Sequence, residues 1–201
     1  MNKIIGLMLV SLMSFSTQAQ KLNKLAIGST YHTADKEMLD VISDGKYSLK
    51  SLQKKNGLLV IFTCNTCPFV IKNQERTREM LQFAERNEVG VALLNSNEAQ
   101  REKEDSEDAM KVYGQEQDYP NYLIDKNHTL ADYFGAGHTP EVYLFNAEGN
   151  LVYLGAMDDS PADPSAARQM YLKEAISKSV EGKVIEPNTT KSLGCSIKRL
   201  K

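Results

Sequence analysis

A short uninterrupted apolar run, Leu58–Phe62, leads straight into Thr63-Cys64-Asn65-Thr66-Cys67-Pro68. A run of that length and evenness reads as a strand buried on both faces. Beyond it, Thr77, Met80, Leu81 and Ala84 fall at i, i+3, i+4 and i+7. That spacing makes one face of an amphipathic helix reaching about Glu85. Pro68 falls in its first turn, where a missing N–H costs little. Two cysteines three positions apart therefore sit where a buried strand hands over to a helix. That junction narrows the folds open to the chain and points to dithiol chemistry.

The other elements are read outward from this junction. Further strands are expected at residues 38–42, 89–94, 122–124, 141–145 and 151–154. Ser43-Asp44-Gly45-Lys46 follows the first of these, and Asp-Gly is a strong hairpin signal. Leu49–Leu52 is expected as a single helical turn. Asp105 or Ser106 is expected to cap a helix through Ala109, Met110 and Val112-Tyr113. A short helix over Thr129–Phe134 is expected to stop at Gly135. Ser165 is expected to cap a last helix that buries Leu172, Ala175, Ile176 and Val180. Residues 95–108 are polar and charged, and read as a solvated loop and helix start. Strands alternate with helices in the first half, which implies a parallel sheet with crossover connections. The two strands at 141–154 form a closing hairpin, which makes the sheet mixed. The expected fold class is α/β, a central mixed β-sheet flanked by helices.

Of the 201 residues, 41% are hydrophobic and 25% charged, which suits one globular domain with some additions. The net charge of −2 gives no basic field for nucleic acid. The N-terminus stands apart. Met1-Asn2-Lys3 is positive, the next dozen or so residues are apolar or small, and Thr17-Gln18-Ala19 places small residues at the −3 and −1 positions of a cleavage site. Residues 1–19 read as a secretory signal peptide. A membrane anchor is the competing reading, but a span needs about 20 apolar residues and this run is shorter. The protein is thus expected to be exported, periplasmic or secreted, with no stable membrane insertion after cleavage. Disulfides are permitted there. Only three cysteines, Cys64, Cys67 and Cys195, are present, too few for a disulfide-stapled scaffold.

If Cys64 is the N-cap of the helix and Cys67 lies one turn in, orphan N–H groups favour thiolate at Cys64. Cys-x-x-Cys pairs lower thiol pKa values from about 8.5 to about 3.5–7.5. Cys64 is then the expected attacking thiolate and Cys67 the resolving thiol. His138-Thr139-Pro140 is the second piece. A proline just ahead of a strand is either an ordinary trans residue or held cis. If cis and facing the cysteines, it would leave the Thr139 backbone to pair with an extended substrate. No cofactor or metal is called for, since the dithiol carries the electrons itself.

These residues resemble the thioredoxin superfamily, and within it the redoxin or peroxiredoxin-like branch. Phe62-Thr63-Cys64-Asn65-Thr66-Cys67-Pro68-Phe69-Val70 is similar to that branch's Phe-x-Cys-Asn-x-Cys-Pro-[Tyr/Phe]-Val pattern. Glu104-Asp105-Ser106, Ala109-Met110, Thr139-Pro140 and Gly194-Cys195-Ser196-Ile197-Lys198 are similar too. The likeness covers roughly Ile27 to the C-terminus. It implies a thioredoxin-like domain at 20–186 followed by a C-terminal tail at 187–201. It also implies a thiol–disulfide oxidoreductase acting on protein or small-thiol substrates with an unidentified electron donor. Thr139 and Pro140 would position the substrate, with His138 and Cys195 as auxiliary candidates.

Departures from the pattern define the alternatives. Many relatives carry a cysteine where this chain has His138. Thr63 stands where thioredoxin-type sites usually have Trp. Leu58 stands where they have a buried acid. A thiol peroxidase of the peroxiredoxin kind resembles Pro-x-x-x-[Thr/Ser]-x-x-Cys with a distant Arg. Aligned on Cys67, the Thr position is Cys64 and the Pro position is Val60, and no Arg occurs between Arg101 and Arg168. A third reading has Cys64, Cys67 and His138 binding copper or zinc, since thiolate and imidazole suit Cu(I) or Zn. Cys195 is a buried apolar residue, a free thiol or a third redox partner, with a structural or bystander role favoured. Asn65-Thr66 brings no formal charge to hold a thiolate, which reads as a reductant or isomerase-like helper rather than a strong oxidant.

Overall fold

A computed structural model of the chain describes residues 23–31 and 36–200. The expected signal peptide at 1–19 lies outside the described residues. The chain begins with a small hairpin, β1 (Met38–Leu39) and β2 (Lys46–Tyr47), closed by Asp44-Gly45 with Asp44 at φ 58°. The strand is shorter than expected. Asp40 ends it by turning its carboxylate onto the N–H groups of Ile42 and Ser43, at 3.1 and 3.2 Å. Next comes α1 (Leu49–Leu52), held by a Ser48–Ser51 capping box.

The central sheet is built from β3 (Leu58–Phe62), β4 (Gly90–Asn95), β5 (Leu123–Ile124), β7 (Glu141–Phe145) and β8 (Leu151–Gly155), in the order β5-β4-β3-β7-β8. β4 runs parallel to β3 and to β5, whereas β7 is antiparallel to β3 and to β8. This is the mixed sheet the sequence implies. All five residues of β3 are fully buried. Its side chains alternate between faces because the strand repeat is two residues. Leu59 and Ile61 join Met80, Leu81, Leu93 and Ile176 on one face. Leu58, Val60 and Phe62 join Leu94, Phe134, Tyr143 and Phe145 on the other. Each such side chain contributes roughly 1.5–3 kcal/mol through the water it gives up.

The helix after the cysteines is two helices, α2 (Pro68–Lys72) and α3 (Gln74–Arg86). Asn73 makes the break. Its side chain donates to the Phe69 carbonyl at 2.6 Å and to the Pro161 carbonyl at 2.9 Å, competing for a carbonyl of the helix before it. The face with Thr77, Met80, Leu81 and Ala84 is buried, as the spacing requires. Arg76, on the same helix, forms an internal ion pair with Asp158.

α4 (Glu107–Glu116) is capped by Ser106, whose hydroxyl accepts from the Ala109 N–H at 3.3 Å. α5 (Thr129–Phe134) ends on Gly135, which adopts φ 66°, a conformation that suits a residue without Cβ. Two expectations for the last helix are corrected. α6 is Tyr171–Val180 and is not capped by Ser165. Ser165 lies in a separate short turn, where Asp163 accepts from its N–H at 3.0 Å. Leu172, Ala175 and Ile176 are buried, but Val180 is exposed at the helix end.

The segment after α6 doubles back over the sheet. Leu154 N–H donates to Asn188 O at 3.1 Å, and Thr190 N–H donates to Leu154 O at 3.0 Å. The chain then forms β9 (Cys195–Ser196), antiparallel to β6 (His138–Thr139). Among the described residues, no helix is long and apolar enough to cross a membrane.

Candidate active site

β3 delivers the cysteines. Its ladder with β4 extends one step further, with Thr63 N–H donating to Leu94 O at 2.9 Å. Cys64, Asn65 and Thr66 then make a bend, and the helix begins only at Pro68 with Cys67 as its N-cap. This corrects the placement expected from the sequence, where Cys64 held the N-cap. The buried Asp105 is one physical reason. Its carboxylate accepts the Asn65 N–H at 3.0 Å and holds the bend out of the helix. Both thiols are free and buried, Cys64 at 2% exposure and Cys67 at 3%.

Thr139 faces both sulfurs. Its hydroxyl lies 3.2 Å from Cys64 Sγ, and its carbonyl lies 3.1 Å from Cys67 Sγ. The Thr139–Pro140 peptide is cis, the alternative the sequence left open. The turn is fixed from behind by Glu141, which is almost fully buried. The Glu141 carboxylate accepts from Gly137 N–H at 2.9 Å and from Ser192 Oγ at 2.6 Å, and pairs with Lys24.

The charge on the dithiol follows from these contacts. The hydrogen bond between the two sulfurs lowers Cys67 to about 4, with burial opposing the shift. The Cys195 side chain and the N–H groups of Val70 and Cys195 also favour the Cys67 anion. The same sulfur–sulfur bond, then burial, pushes Cys64 far above the ordinary thiol range, and the Asp105 charge adds to it. The Thr139 carbonyl is the contact at Cys67 that favours the neutral thiol, because a carbonyl accepts a hydrogen and repels an anion. Several donors oppose that one acceptor, which draws Cys67 down while Cys64 is pushed up.

Residues 95–108 are solvated as expected over 102–104 and 107–108 but not at 95–97 and 105. Asn95, Ser96, Asn97 and Asp105 are all buried. Asp105 accepts from Asn95 Nδ2 at 2.8 Å and from Asn97 Nδ2 at 2.9 Å, in addition to Asn65 N–H. Tyr122 Oη donates to Asn65 Oδ1 at 2.9 Å and accepts from Asn95 Nδ2 at 3.0 Å. Burial keeps the Tyr122 phenol un-ionised. This polar floor beneath the cysteine bend was missed in the sequence. Its signal was Asn95-Ser96-Asn97 directly following a buried strand, where a surface loop has no need of three amide and hydroxyl side chains in a row.

Cys195 lies beside the pair. It packs against the Cys64–Cys67–Val70 cluster, its side chain hydrogen-bonds with Cys67, and all three cysteines line one cleft of about 220 Å³. Lys198 borders that cleft, and no arginine does among the described residues. His138 shares β6 with Thr139 but pairs in register with Ser196. Among the described residues, no three His, Cys, Asp or Glu side chains are grouped to hold a metal, so Cys64, Cys67 and His138 do not form a ligand set.

The Redoxin family model matches residues 34–171 of the chain. Two solved structures share 28% identity with it. One is a hypothetical protein from Sinorhizobium meliloti, with a TM-score of 0.80, covering 89% of this chain and 97% of that one. The other is an uncharacterized conserved protein from Geobacillus kaustophilus, with a TM-score of 0.79, covering 89% and 94%. The exposed lipoprotein thioredoxin of Streptococcus pneumoniae matches at 22% identity and a TM-score of 0.53, covering 74% and 98%, which shows the thioredoxin-like fold. No curated protein matches the chain at a significant level.

Proposed function

From the premise that this chain belongs to the Redoxin family, in the thioredoxin superfamily, we propose that it is an exported thiol–disulfide oxidoreductase. It cycles Cys64 and Cys67 between dithiol and disulfide. Its substrates are disulfides of proteins or small thiols. The observation that carries this reading is the pairing of two buried thiols against one residue. Cys64 and Cys67 both lie against Thr139, and their contacts draw Cys67 down and push Cys64 up.

The Cys67 thiolate attacks one sulfur of a substrate disulfide. The substrate S–S bond breaks, a Cys67–substrate disulfide forms, and the other substrate sulfur leaves as thiolate. Cys64 then gives up its proton and attacks the Cys67 sulfur. The Cys64–Cys67 disulfide closes, the second substrate sulfur leaves, and two electrons have passed to the substrate. In this order Cys67 attacks and Cys64 resolves, the reverse of the roles the sequence expected. The Thr139 hydroxyl, 3.2 Å from Cys64 Sγ, donates to that sulfur as its proton departs.

Trapping tests both identity and order. In Cys64→Ser, with the neighbouring Cys195 also changed to Ser, the mixed disulfide with a disulfide substrate accumulates on Cys67, and mass mapping identifies it. With Cys195→Ser in both, trapping on Cys64 in Cys67→Ser and none in Cys64→Ser would reverse the order. Failure of the wild-type protein to reduce a protein disulfide with a dithiol donor would remove the function. A peroxidase reading has less support, since the cleft is bordered by Lys198 rather than an arginine. Hydroperoxide consumption measured with the same donor separates the two.

A further inference from the structure

We infer that Cys195 is the third redox thiol of this site, the port through which electrons pass between an external thiol donor and the buried Cys64–Cys67 pair. The inference rests on the dithiol reading above and extends it to a residue outside the matched segment, which ends at residue 171.

Three independent features place Cys195 there. First, β9 occupies the edge of β6, with Cys195 in register opposite Thr139. An extended substrate pairing with Thr139 would present its own residue at this same position, so the tail stands in for a substrate strand. Second, the approach is built for it. A Cβ on Gly194 would lie 2.2 Å from the Thr139 carbonyl oxygen, so only a glycine lets the strand come this close. Lys198 N–H donates to Asn97 Oδ1 at 2.8 Å, and Ala99 N–H donates to Lys198 O at 2.9 Å, which pins the strand from its other side. Third, exposure differs. Cys64 and Cys67 are buried, whereas Cys195 is partly open to solvent.

The exchange balances without a further reactant. In the oxidised protein Cys195 loses its proton and attacks the Cys67 sulfur. The Cys64–Cys67 bond breaks, the Cys67–Cys195 bond forms, and Cys64 leaves as thiolate and takes up the proton. No electrons are gained or lost, and the disulfide has moved to a sulfur that solvent reaches. A thiolate donor then attacks Cys195, the Cys67–Cys195 bond breaks, and Cys67 leaves as thiolate. A second donor thiolate releases Cys195 from the mixed disulfide and yields the donor disulfide. Burial and then the charge and hydrogen bond of Cys67 hold Cys195 protonated in the reduced state. Oxidation removes the Cys67 charge, which frees Cys195 to ionise when it is needed.

The full chain in Cys64→Ser form tests this. Treated with oxidised dithiothreitol, quenched by alkylation and mapped by mass spectrometry, it is expected to close an intramolecular Cys67–Cys195 disulfide in at least tenfold excess over dimers and mixed adducts. Dimers or adducts alone would overturn the inference. Gly194→Ala in the same background is expected to lower that yield at least tenfold, with the circular dichroism spectrum unchanged. An unchanged yield would overturn the placement of the strand. Reduction of the oxidised protein by glutathione is expected to slow at least tenfold in Cys195→Ser, and an equal rate would also overturn it. Wild type failing to close Cys64–Cys67 would instead remove the function above, whatever Cys195 does in Cys64→Ser.

Discussion

The Asn65 backbone N–H donates to the buried carboxylate of Asp105 at 3.0 Å, tying the residue between the two cysteines to a charge that is fully enclosed. The thioredoxin-type acid expected in the preceding strand is Leu58 here, so the carboxylate nearest the cysteine bend arrives from a different element. Asp105→Asn keeps the shape but turns an amide N–H₂ toward donors that need acceptors. The expected loss is about 1–3 kcal/mol of stability for the unsatisfied group, read from the shift in a urea unfolding midpoint. Removing the negative charge also lowers the Cys64 pKa, since Asp105 is one of the groups raising it.

The downward shift of Cys67 has a consequence for the reduction potential. With Cys67 ionised above about 4, closing and opening the disulfide exchanges one proton over the neutral range. Each proton in a two-electron couple contributes about 30 mV per pH unit. The potential is therefore expected to fall by about 30 mV per unit from about pH 5 to about pH 8, against about 59 mV for two neutral thiols. Equilibration with glutathione at several pH values measures it. A slope near the larger figure would mean that Cys67 is protonated.

Stability of the reduced protein should trace a bell in pH. Cys67 has a folded pKa of about 4, below that of an unfolded thiol at about 8.5, so it contributes stability that grows as pH rises between those values. That contribution is lost as pH falls through about 4. Cys64 is shifted the other way, so its contribution is present below the unfolded pKa and fades as pH rises beyond it. Urea unfolding of the reduced protein, with the oxidised protein as reference, should show a maximum near the unfolded thiol pKa. A flat difference between the two forms across this range would contradict the pKa assignment.

Glu141 is a structural charge whose loss reaches the site. It gathers Lys24, Gly137 N–H and Ser192 Oγ behind the Thr139–Pro140 turn. Glu141→Ala strands the Gly137 N–H and the Ser192 hydroxyl, while Lys24 is exposed enough to be solvated, so the expected cost is that of unsatisfied polar groups, about 1–3 kcal/mol. The variant is expected to unfold at lower urea and to alkylate Cys64 and Cys67 faster than wild type, because Thr139 no longer covers them.

Local signals made half of this molecule legible. Leu58–Phe62 is apolar throughout because both its faces are covered, and a sequence shows that directly. Asp44-Gly45 announced its turn, and the spacing of Thr77 to Ala84 announced the face of α3. The helix start was misplaced because the group that delays it, Asp105, comes from 40 positions away in the chain. Residues 95–108 misled for a related reason. Polar residues signal solvent on average, but Asn95, Asn97 and Asp105 find one another, the Tyr122 hydroxyl and the Asn65 backbone instead. Cys195 was the least legible residue of the site. Its partners Thr139 and Cys67 lie far upstream, and the small clue was Gly194 beside it.

The strand that lies over the dithiol is made after the rest of the site. The sheet, the cysteine bend and the Thr139–Pro140 turn are all upstream of residue 195. A chain emerging N-terminus first thus assembles its thiols before the strand that will cover them exists. During that interval the Thr139 edge is open and both sulfurs face whatever surrounds the chain. Closure of the site is in this sense a timing event, marking the point at which synthesis and folding have both passed Cys195.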